Sequence, residues 1–334
     1  MFDITQRDMI KIYIQIFVLI YASTFTSCED YKINIKPYNS FKVFNKVQTQ
    51  YFDLDTLTFK IIEGNKGTKI WFVREDFELD EGDKVTVELK ELYDFKDLVF
   101  NNINTITNKN ELLESSGVIY LDFKVGDKSV PLKDKKRLSI IFPDKRLKGN
   151  ELYYTQLDTL AQFQWIEEPV YIGVIHYDRV NRIDIIKSIP IDSLQFYQQK
   201  DSLANAETSQ EMELQNYSER VLINKFKWIN IDKVVNPDYR IDFELDIDAR
   251  EELDNYQIHM IYKGFNSFIS LYRTKDNLTF ENIPIKNETY LIVTSKSEQF
   301  IYGSKLKLKK LKQEKIKVNL KVMDTANLRQ LLEN

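Results

Sequence analysis

The sequence predicts a mainly β fold, in which two immunoglobulin-like β-sandwich domains are joined by an irregular α+β middle section and followed by a short C-terminal helix. The chain of 334 residues contains 19 Tyr and 21 Phe, and these side chains favour the pleated, half-buried surfaces of sheets. Several short segments alternate apolar and polar residues, as between Ile241 and Asp248. Turn signals such as Gly126-Asp127-Lys128 separate these segments at regular intervals, which is typical of β-sandwiches.

The N-terminal segment has the pattern of a secretory signal peptide. Lys11 precedes an apolar run from Ile12 to Ile20, and the small residues Ala22, Ser23, Thr26 and Ser27 follow before Cys28. A charged start, an apolar centre and a small-residue exit are the three parts of such a signal. We therefore expect the mature protein to work outside the cytoplasm.

Cys28 is the only cysteine of the chain. The four residues Phe25-Thr26-Ser27-Cys28 resemble the lipobox of bacterial lipoproteins, in which the cysteine accepts a diacylglyceryl group. Two alternatives are a plain secretory signal and an uncleaved membrane anchor. Residues 10–25 fall short of the roughly 20 apolar residues that span a bilayer, and Gln15 interrupts them. The prediction is a membrane attachment through lipid on Cys28, at the outer membrane of the cell envelope.

Composition excludes some function classes. The formal net charge is -4, from 47 Lys and Arg against 51 Asp and Glu, which lacks the basic excess of a nucleic-acid binder. No phosphate-binding loop is found, since Gly64-Asn65-Lys66-Gly67-Thr68-Lys69 lacks the Walker spacing. We expect no cofactor and no nucleic-acid partner.

The predicted organisation has five parts. The length suggests two or three modules of about 100 residues each, and the 43% apolar content is enough for their cores. The parts are a signal peptide (1–28), a polar tether (29–50), a first β-sandwich (51–147), a middle section with a polar helix or linker (148–236), and a second β-sandwich with a C-terminal helix (237–334).

Several phrases in order along the chain look like those of a known family. They are Gly67-Thr68-Lys69-Ile70, Leu113-Glu114-Ser115-Ser116-Gly117, Gly126-Asp127-Lys128 with Pro131-Leu132, and Phe226-Lys227-Trp228-Ile229-Asn230-Ile231-Asp232. Together they resemble a family of uncharacterised Bacteroidota lipoproteins, whose first domain is distantly similar to the β-sandwich shared by netrin receptors and ankyrins. Lys227 stands where Gly is usual in that family. The resemblance implies architecture and compartment, and it implies no reaction.

An acidic cluster raises the possibility of a calcium site. Asp76, Glu78 and Asp80 are spaced as at the start of an EF-hand loop. However, Glu81 stands at the sixth position, where that loop needs glycine, and Gly82 comes one place late. A solvated surface loop explains the same residues.

A second acidic group lies on a predicted strand. Asp242, Glu244, Asp246 and Asp248 alternate with apolar residues and therefore share one face. Successive carboxylates on one strand face are about 6.6 Å apart, which is too far for one calcium ion without help from a neighbouring strand. A solvated face is the alternative, so no metal is expected.

No catalytic group stands out from the sequence. His176 and His259 are the only histidines, and they cannot supply a zinc ligand set. Ser115 and Ser116 precede Gly117 without the Gly-x-Ser-x-Gly pattern of a nucleophile elbow. A hydrolase built from scattered carboxylates is the least favoured function class.

Lys305, Lys307 and Lys309 alternate with leucines. They fit an edge strand protected from aggregation, or a surface that attracts anionic lipid, polysaccharide or peptidoglycan. The expected function is a non-enzymatic interaction or scaffold component with an envelope protein partner. The alternative is an accessory lipoprotein that binds polysaccharide or peptide for an uptake or secretion complex.

Overall fold

The structure is a computed structural model. It describes residues 38–143, 150–157, 163–168, 171–178, 183–190, 220–249, 252–308 and 315–333. Cys28, the signal peptide and the polar stretch 191–219 lie outside the described residues. None of the helices within the described ranges is long and apolar enough to cross a membrane.

The first half of the chain forms β1 to β7 and one helix. The strands are β1 (Gln50–Asp55), β2 (Phe59–Glu63), β3 (Lys69–Val73), β4 (Val85–Leu92), β5 (Leu112–Val125), β6 (Lys128–Ser129) and β7 (Leu138–Ile141). Helix α1 (Phe95–Asn101) lies between β4 and β5, and 3₁₀ turns occur at Lys42–Phe44 and Arg74–Asp76.

The second half continues as strands and ends in a helix. The strands are β8 (Glu151–Leu157), β9 (Phe163–Glu168), β10 (Tyr171–Asp178), β11 (Ile183–Pro190), β12 (Arg220–Ile223), β13 (Lys227–Val235), β14 (Tyr239–Asp248), β15 (Asn255–Tyr262), β16 (Ser267–Thr274), β17 (Thr279–Ile285), β18 (Thr289–Lys296), β19 (Ile301–Leu308), β20 (Lys315–Asn319) and β21 (Lys321–Met323). Helix α2 (Thr325–Glu333) follows β21.

Strands β1 to β13 form two sheets, which we call the first body. Sheet A has the order β1-β4-β5-β13-β8-β9, with β6 paired to β5, and sheet B has the order β11-β10-β12-β7-β3-β2. Val87 and Leu121 of sheet A share a fully buried core with Ile70 and Ile140 of sheet B. The alternation of buried residues along β4 puts every second side chain in this core.

The middle section of the sequence, 148–236, contributes strands to both of these sheets. β13 lies between β5 and β8 in the centre of sheet A, and β12 joins β10 to β7 in sheet B. Residues far apart in sequence therefore pair directly, as in the register of Asn230 with Val118. The described strands of 148–236 complete the body that 51–147 begins.

Strands β14 to β21 form the second body. Sheet C has the order β17-β14-β20, and sheet D has the order β16-β15-β18-β19-β21. Phe243 and Ile316 of sheet C pack with Ile258 and Val293 of sheet D in a second core. The pairing of β14 with β20 is parallel, whereas β14 pairs with β17 in the antiparallel sense.

A third core, the interface core, joins the two bodies. It holds Leu113 and Val118 of sheet A, Phe268 of sheet D, Val99 of α1 and Leu328 of α2. The central strands of sheets A and D are thus covered on both faces, for example β5 and β15. This explains why β15 is buried at nearly every position, since a strand covered on both sides needs no polar face.

The described part of the predicted tether is packed against the protein. Phe41 is fully buried in the interface core. The Ser40 backbone N–H donates to Gln257 Oε1 at 3.1 Å, and the Ser40 hydroxyl donates to Thr294 Oγ1 at 2.9 Å. Residues 38–44 therefore belong to the folded protein, while 29–37 lie outside the described residues.

The mainly β fold predicted from the sequence is confirmed, with several antiparallel sheets and a short C-terminal helix. This helix contacts the interface core through one face, since Leu328 is buried and Leu331 and Leu332 pack at the margin of that core. The Asp324 carboxylate accepts a hydrogen bond from the Asn327 backbone N–H at 2.7 Å, as expected of an N-cap.

Candidate functional site

The first acidic cluster is engaged with the protein itself. Asp76 Oδ1 lies 2.6 Å from Lys136 Nζ, and the Asp80 backbone N–H donates to Asp83 Oδ2 at 2.9 Å. The Glu78 backbone N–H donates to the Pro131 carbonyl at 3.1 Å. Among the described residues, no group of three or more His, Cys, Asp or Glu side chains could hold a metal ion.

The second acidic group lies on the exposed face of β14, as its alternation predicted. Asp242 Oδ1 accepts a hydrogen bond from the Asn282 backbone N–H at 2.6 Å. Lys315 and Lys317 of β20 stand opposite Glu244 and Asp246 in the parallel register, and Lys315 Nζ is 3.4 Å from Glu244 Oε1. The row of carboxylates is therefore matched by a row of lysines on the neighbouring strand.

Of the two histidine side chains, the structure describes only that of His259. His176 lies on β10, and its side chain is outside what the structure describes. His259 is fully buried on β15, with its ring centroid 5.2 Å from that of Phe41. Neither ring nitrogen has a hydrogen-bond partner among the described residues, and burial lowers the imidazole pKa to about 3. His259 is thus a neutral group within an apolar core.

Two phrases of the family resemblance meet at a buried carboxyl group. Asp232 of β13 is fully buried beside Ser115 and Ser116 of β5. Its Oδ1 accepts from the Ser116 backbone N–H at 3.3 Å, and its Oδ2 accepts from Asn230 Nδ2 at 2.5 Å. Burial raises the pKa of Asp232 to about 8, although hydrogen bonds from Ser115 and Asn230 oppose the shift.

This polar cluster ties the first body to the second. The Ser115 backbone N–H donates to the Asn266 carbonyl at 3.0 Å, and Asn266 Nδ2 donates to the Ser115 carbonyl at 2.8 Å. Asn266 lies in the turn between β15 and β16. The Asp232 cluster therefore lies at the contact between sheet A and the β15–β16 hairpin of the second body.

A second buried carboxylate anchors the turn between β2 and β3. Glu91 accepts hydrogen bonds from the backbone N–H groups of Lys66 and Thr68 at 2.9 and 3.0 Å and from Gln50 Nε2 at 2.8 Å. A Cβ atom on Gly64 would come within 2.6 Å of the Glu91 carboxylate. A side chain at position 64 would therefore displace the Glu91 carboxylate from its hydrogen bonds with the turn.

Lys227 occupies a backbone conformation that favours glycine, with φ at 85°. In the present chain the Lys227 ammonium lies 2.5 Å from Oδ2 of Asp122, which is fully buried. The ion pair gives Asp122 a cationic partner, and a buried carboxylate without a partner would be costly.

Residues 102–107 form a polar seam along β16. The Asn104 side chain donates to the Ser270 carbonyl at 3.2 Å and accepts from the Ser270 backbone N–H at 2.8 Å. The Thr105 backbone N–H donates to the Phe268 carbonyl at 2.9 Å. Trp165 Nε1 donates to the Asn104 carbonyl at 2.5 Å. These hydrogen bonds, most of them made by side chains, attach the connection after α1 to β16 of the second body.

Strand β2 lies at the end of sheet B. The Gly64 N–H donates to the Thr68 carbonyl and the Arg74 N–H to the Thr58 carbonyl, each at 2.8 Å. In an antiparallel pair the bonded residues alternate, so the even-numbered residues of β2 face β3. The backbone groups of Phe59, Ile61 and Glu63 consequently point to the other side. No described strand pairs with that side.

The free edge of β2 carries apolar side chains. Phe59 is 53% exposed and Ile61 is 46% exposed, and Leu57 just before them is also exposed. Unprotected edges of this kind are sites for the addition of another strand. The sequence pattern did not reveal this edge, because residues 51–62 look like one loosely alternating segment. The segment contains β1 and β2, which belong to different sheets.

The lysine row lies on β19, where Lys305 and Lys307 share one face, and Lys309 is outside the described residues. β21 pairs only with residues 301–303 of β19, so the part with the lysines has no described strand on that side. Of the tryptophans, Trp165 is fully buried, whereas Trp71 and Trp228 are partly buried.

Comparisons of the chain with protein-family models, curated proteins and solved structures found no match.

Proposed function

We propose that this chain is a lipid-anchored component of the cell envelope, that it acts as an interaction scaffold without enzyme activity, and that a partner protein adds an extended segment to the free edge of β2. The observation that carries the proposal is the outward row of backbone groups at Phe59, Ile61 and Glu63 beside two exposed apolar side chains. An added strand satisfies such N–H and C=O groups by main-chain hydrogen bonds, and alternate side chains supply specificity.

The rest of the fold supports a scaffold role. The interface core and the polar seam bind the two bodies to each other through buried contacts. A body that moves little presents its binding edge without the entropic cost of ordering it first. The β2–β3 turn behind the edge is itself held by Glu91.

Each body is further proposed to be an immunoglobulin-like sandwich. Two sheets that share one core support this for each body, because stacked sheets are how sandwiches bury their apolar faces. The parallel pairing of β14 with β20 differs from the antiparallel sheets of that fold.

The membrane attachment rests on the sequence around Cys28. Two acyl chains, at about 0.8 kcal/mol for each buried methylene, hold a protein at a bilayer stably. We expect the wild-type chain to be labelled by palmitate and to be recovered with the outer membrane. The Cys28→Ser chain should be unlabelled and should leave the membrane fraction. Equal labelling and retention of both chains would refute the anchor.

The strand-addition proposal is tested by a pair of substitutions at one residue. The N–H of Ile61 points away from β3, so Ile61→Pro removes an outward donor and leaves the β2–β3 hydrogen bonds in place. Ile61→Thr is the matched control, since it also removes the apolar side chain but keeps the N–H and the strand preference. Both variants are made in the full chain with a photo-crosslinking amino acid at Phe59.

In cells, the crosslinker at position 59 should give an adduct of one defined mass. Ile61→Pro should reduce its yield by about fivefold or more, and Ile61→Thr should retain more than half of it, because the main-chain bonds carry the affinity. An adduct that both substitutions reduce equally, or no adduct, would refute strand addition. An adduct of twice the chain mass would replace the separate partner with a second copy.

A further inference from the structure

A cavity lies where three parts of the protein meet. It has a volume of about 240 Å³ and is bounded by the start of α1, the β15–β16 turn, neighbouring residues of β18 and β19, and the end of α2. Its apolar walls include Phe95, Phe265 and Leu332. Two lysines, Lys263 and Lys305, also line it. We call this the hairpin pocket.

The two lysines of the hairpin pocket have no ion-pair partner in the described part of the chain. Lys305 Nζ lies 4.9 Å from the ring centroid of Tyr290, and the side chain is only partly exposed. Burial and the nearby charge of Lys263 both lower the pKa of Lys305. The charge of Lys263 helps to lower the pKa of Glu288, so Lys263 has a carboxylate nearby. Lys305 is therefore the partly desolvated positive charge of the pocket that lacks a counter-charge among the described residues.

The nearby carboxylates are engaged elsewhere. Glu333, which borders the pocket, accepts from Lys96 Nζ at 3.1 Å and from Arg329 Nε at 3.2 Å. Glu288 lies 2.9 Å from Lys307, the next lysine on the same face of β19. Lys307 is thus a paired cation, and Lys305 is an unpaired one two residues away.

We propose that the hairpin pocket binds a small monocarboxylate with an apolar body, with the carboxylate between Lys263 and Lys305 and the apolar part against Phe95, Phe265 and Leu332. The size is suitable, because a cavity of about 150 Å³ holds a benzene ring and the hairpin pocket is larger. A phosphate group fits less well, because its further oxygens would face apolar walls without donors.

The carboxylate can come from a free organic acid or from the C-terminus of a peptide. The probes are 3-phenylpropionate and the peptide Gly-Gly-Phe, each compared with its amide. Binding to the purified full chain is measured by calorimetry. We expect the acid that binds to have a Kd lower than that of its amide by about tenfold or more, because the neutral amide cannot form an ion pair with an ammonium group. Whichever of the two acids binds more tightly identifies the source.

Matched substitutions place the binding in the pocket. Lys305→Met keeps the length and apolar stem of the side chain and should weaken binding of the acid about tenfold, while binding of the amide should not change. Lys307→Met removes the paired neighbour and should change the Kd less than about twofold. Circular dichroism confirms that both variants are folded.

Three results would overturn the proposal. One is equal affinity for acid and amide. Another is a Lys305→Met chain that binds the acid as the wild type does. The third is the absence of saturable binding for both acids. The test does not involve Cys28 or the edge of β2, so its outcome is separate from that of the proposed scaffold function.

Discussion

Sheets A and D meet at the interface core, and each buries an ionisable group near it in a different way. Asp232 on sheet A is surrounded by hydrogen-bond partners. His259 on sheet D lies among aromatic rings and has no hydrogen-bond partner within the described ranges. Both are neutral at pH 7, because burial raises the pKa of Asp232 to about 8 and lowers that of His259 to about 3. The comparison shows two ways of burying an uncharged ionisable group, one with hydrogen-bond partners and one among aromatic rings.

The two groups give stability opposite dependences on pH. The folded pKa of Asp232 is above its ordinary value of 3.8, so its contribution is complete below about pH 4 and is lost as the pH rises to 8. The folded pKa of His259 is below its ordinary value of 6.5, so its contribution is complete above pH 6.5 and is lost as the pH falls towards 3. Between about pH 4 and 6.5 the contribution of Asp232 falls with pH while that of His259 rises, so the two changes in the free energy of unfolding should cancel.

The largest expected effect comes from breaking the contact between the two sheets. Phe268 is fully buried in the interface core, and truncation of a buried Phe costs about 3 to 5 kcal/mol. All three tryptophans lie on β3, β9 and β13 of the first body. In urea unfolding, Phe268→Ala should therefore shift the tryptophan fluorescence transition as much as the circular dichroism transition, if the bodies unfold together.

Phe300→Ala provides the control, because Phe300 is an exposed residue of the second body and its loss should leave both transitions in place. A fluorescence transition that stays fixed in Phe268→Ala while circular dichroism shifts would show that the two bodies unfold independently. The interface core would then contribute little coupling.

The sequence revealed local features of this arrangement better than distant ones. The alternation from Ile241 to Asp248 gave the strand and the exposed face of its carboxylates, because a period of two residues follows from strand geometry alone. The pairing of Ser115 with Asn230, which are 115 residues apart, has no local signal. Nor could the sequence show that β15 is covered on both sides. For this reason the sequence did not distinguish His259, a fully buried residue, from other strand residues.

The next largest effect is expected at Asp232. Asp232→Asn keeps the shape of the side chain and removes its titration. Between pH 4 and 7 the wild type should lose about 4 kcal/mol of stability more than the variant does, since each of these three pH units corresponds to about 1.4 kcal/mol. The free energy of unfolding in urea, measured at several pH values, tests this. Asp246→Asn, at an exposed position, should follow the wild type, and parallel curves for Asp232→Asn would contradict the assignment.

The base of the pair should show a smaller effect of the opposite sign. His259→Leu replaces an imidazole without partners by an apolar group, so its stability should no longer fall below pH 6.5. At pH 5 we expect the variant to gain about 2 kcal/mol relative to the wild type, beyond any difference at pH 8. A variant that loses stability in acid as steeply as the wild type would show that His259 is not the titrating group.

The smallest effect is expected where charge lies on the surface and not in the interface. Glu244 and Lys315 are paired at 3.4 Å, with side chains 53% and 56% exposed. Such pairs contribute about 0 to 1 kcal/mol, so Glu244→Gln should change the free energy of unfolding by less than about 0.5 kcal/mol.

Millimolar calcium should leave the melting temperature of the wild type and of Glu244→Gln unchanged, because carboxylates on one strand face are about 6.6 Å apart. A rise in melting temperature with calcium that Glu244→Gln abolishes would instead make this acidic row a metal site, completed by groups from the neighbouring strands.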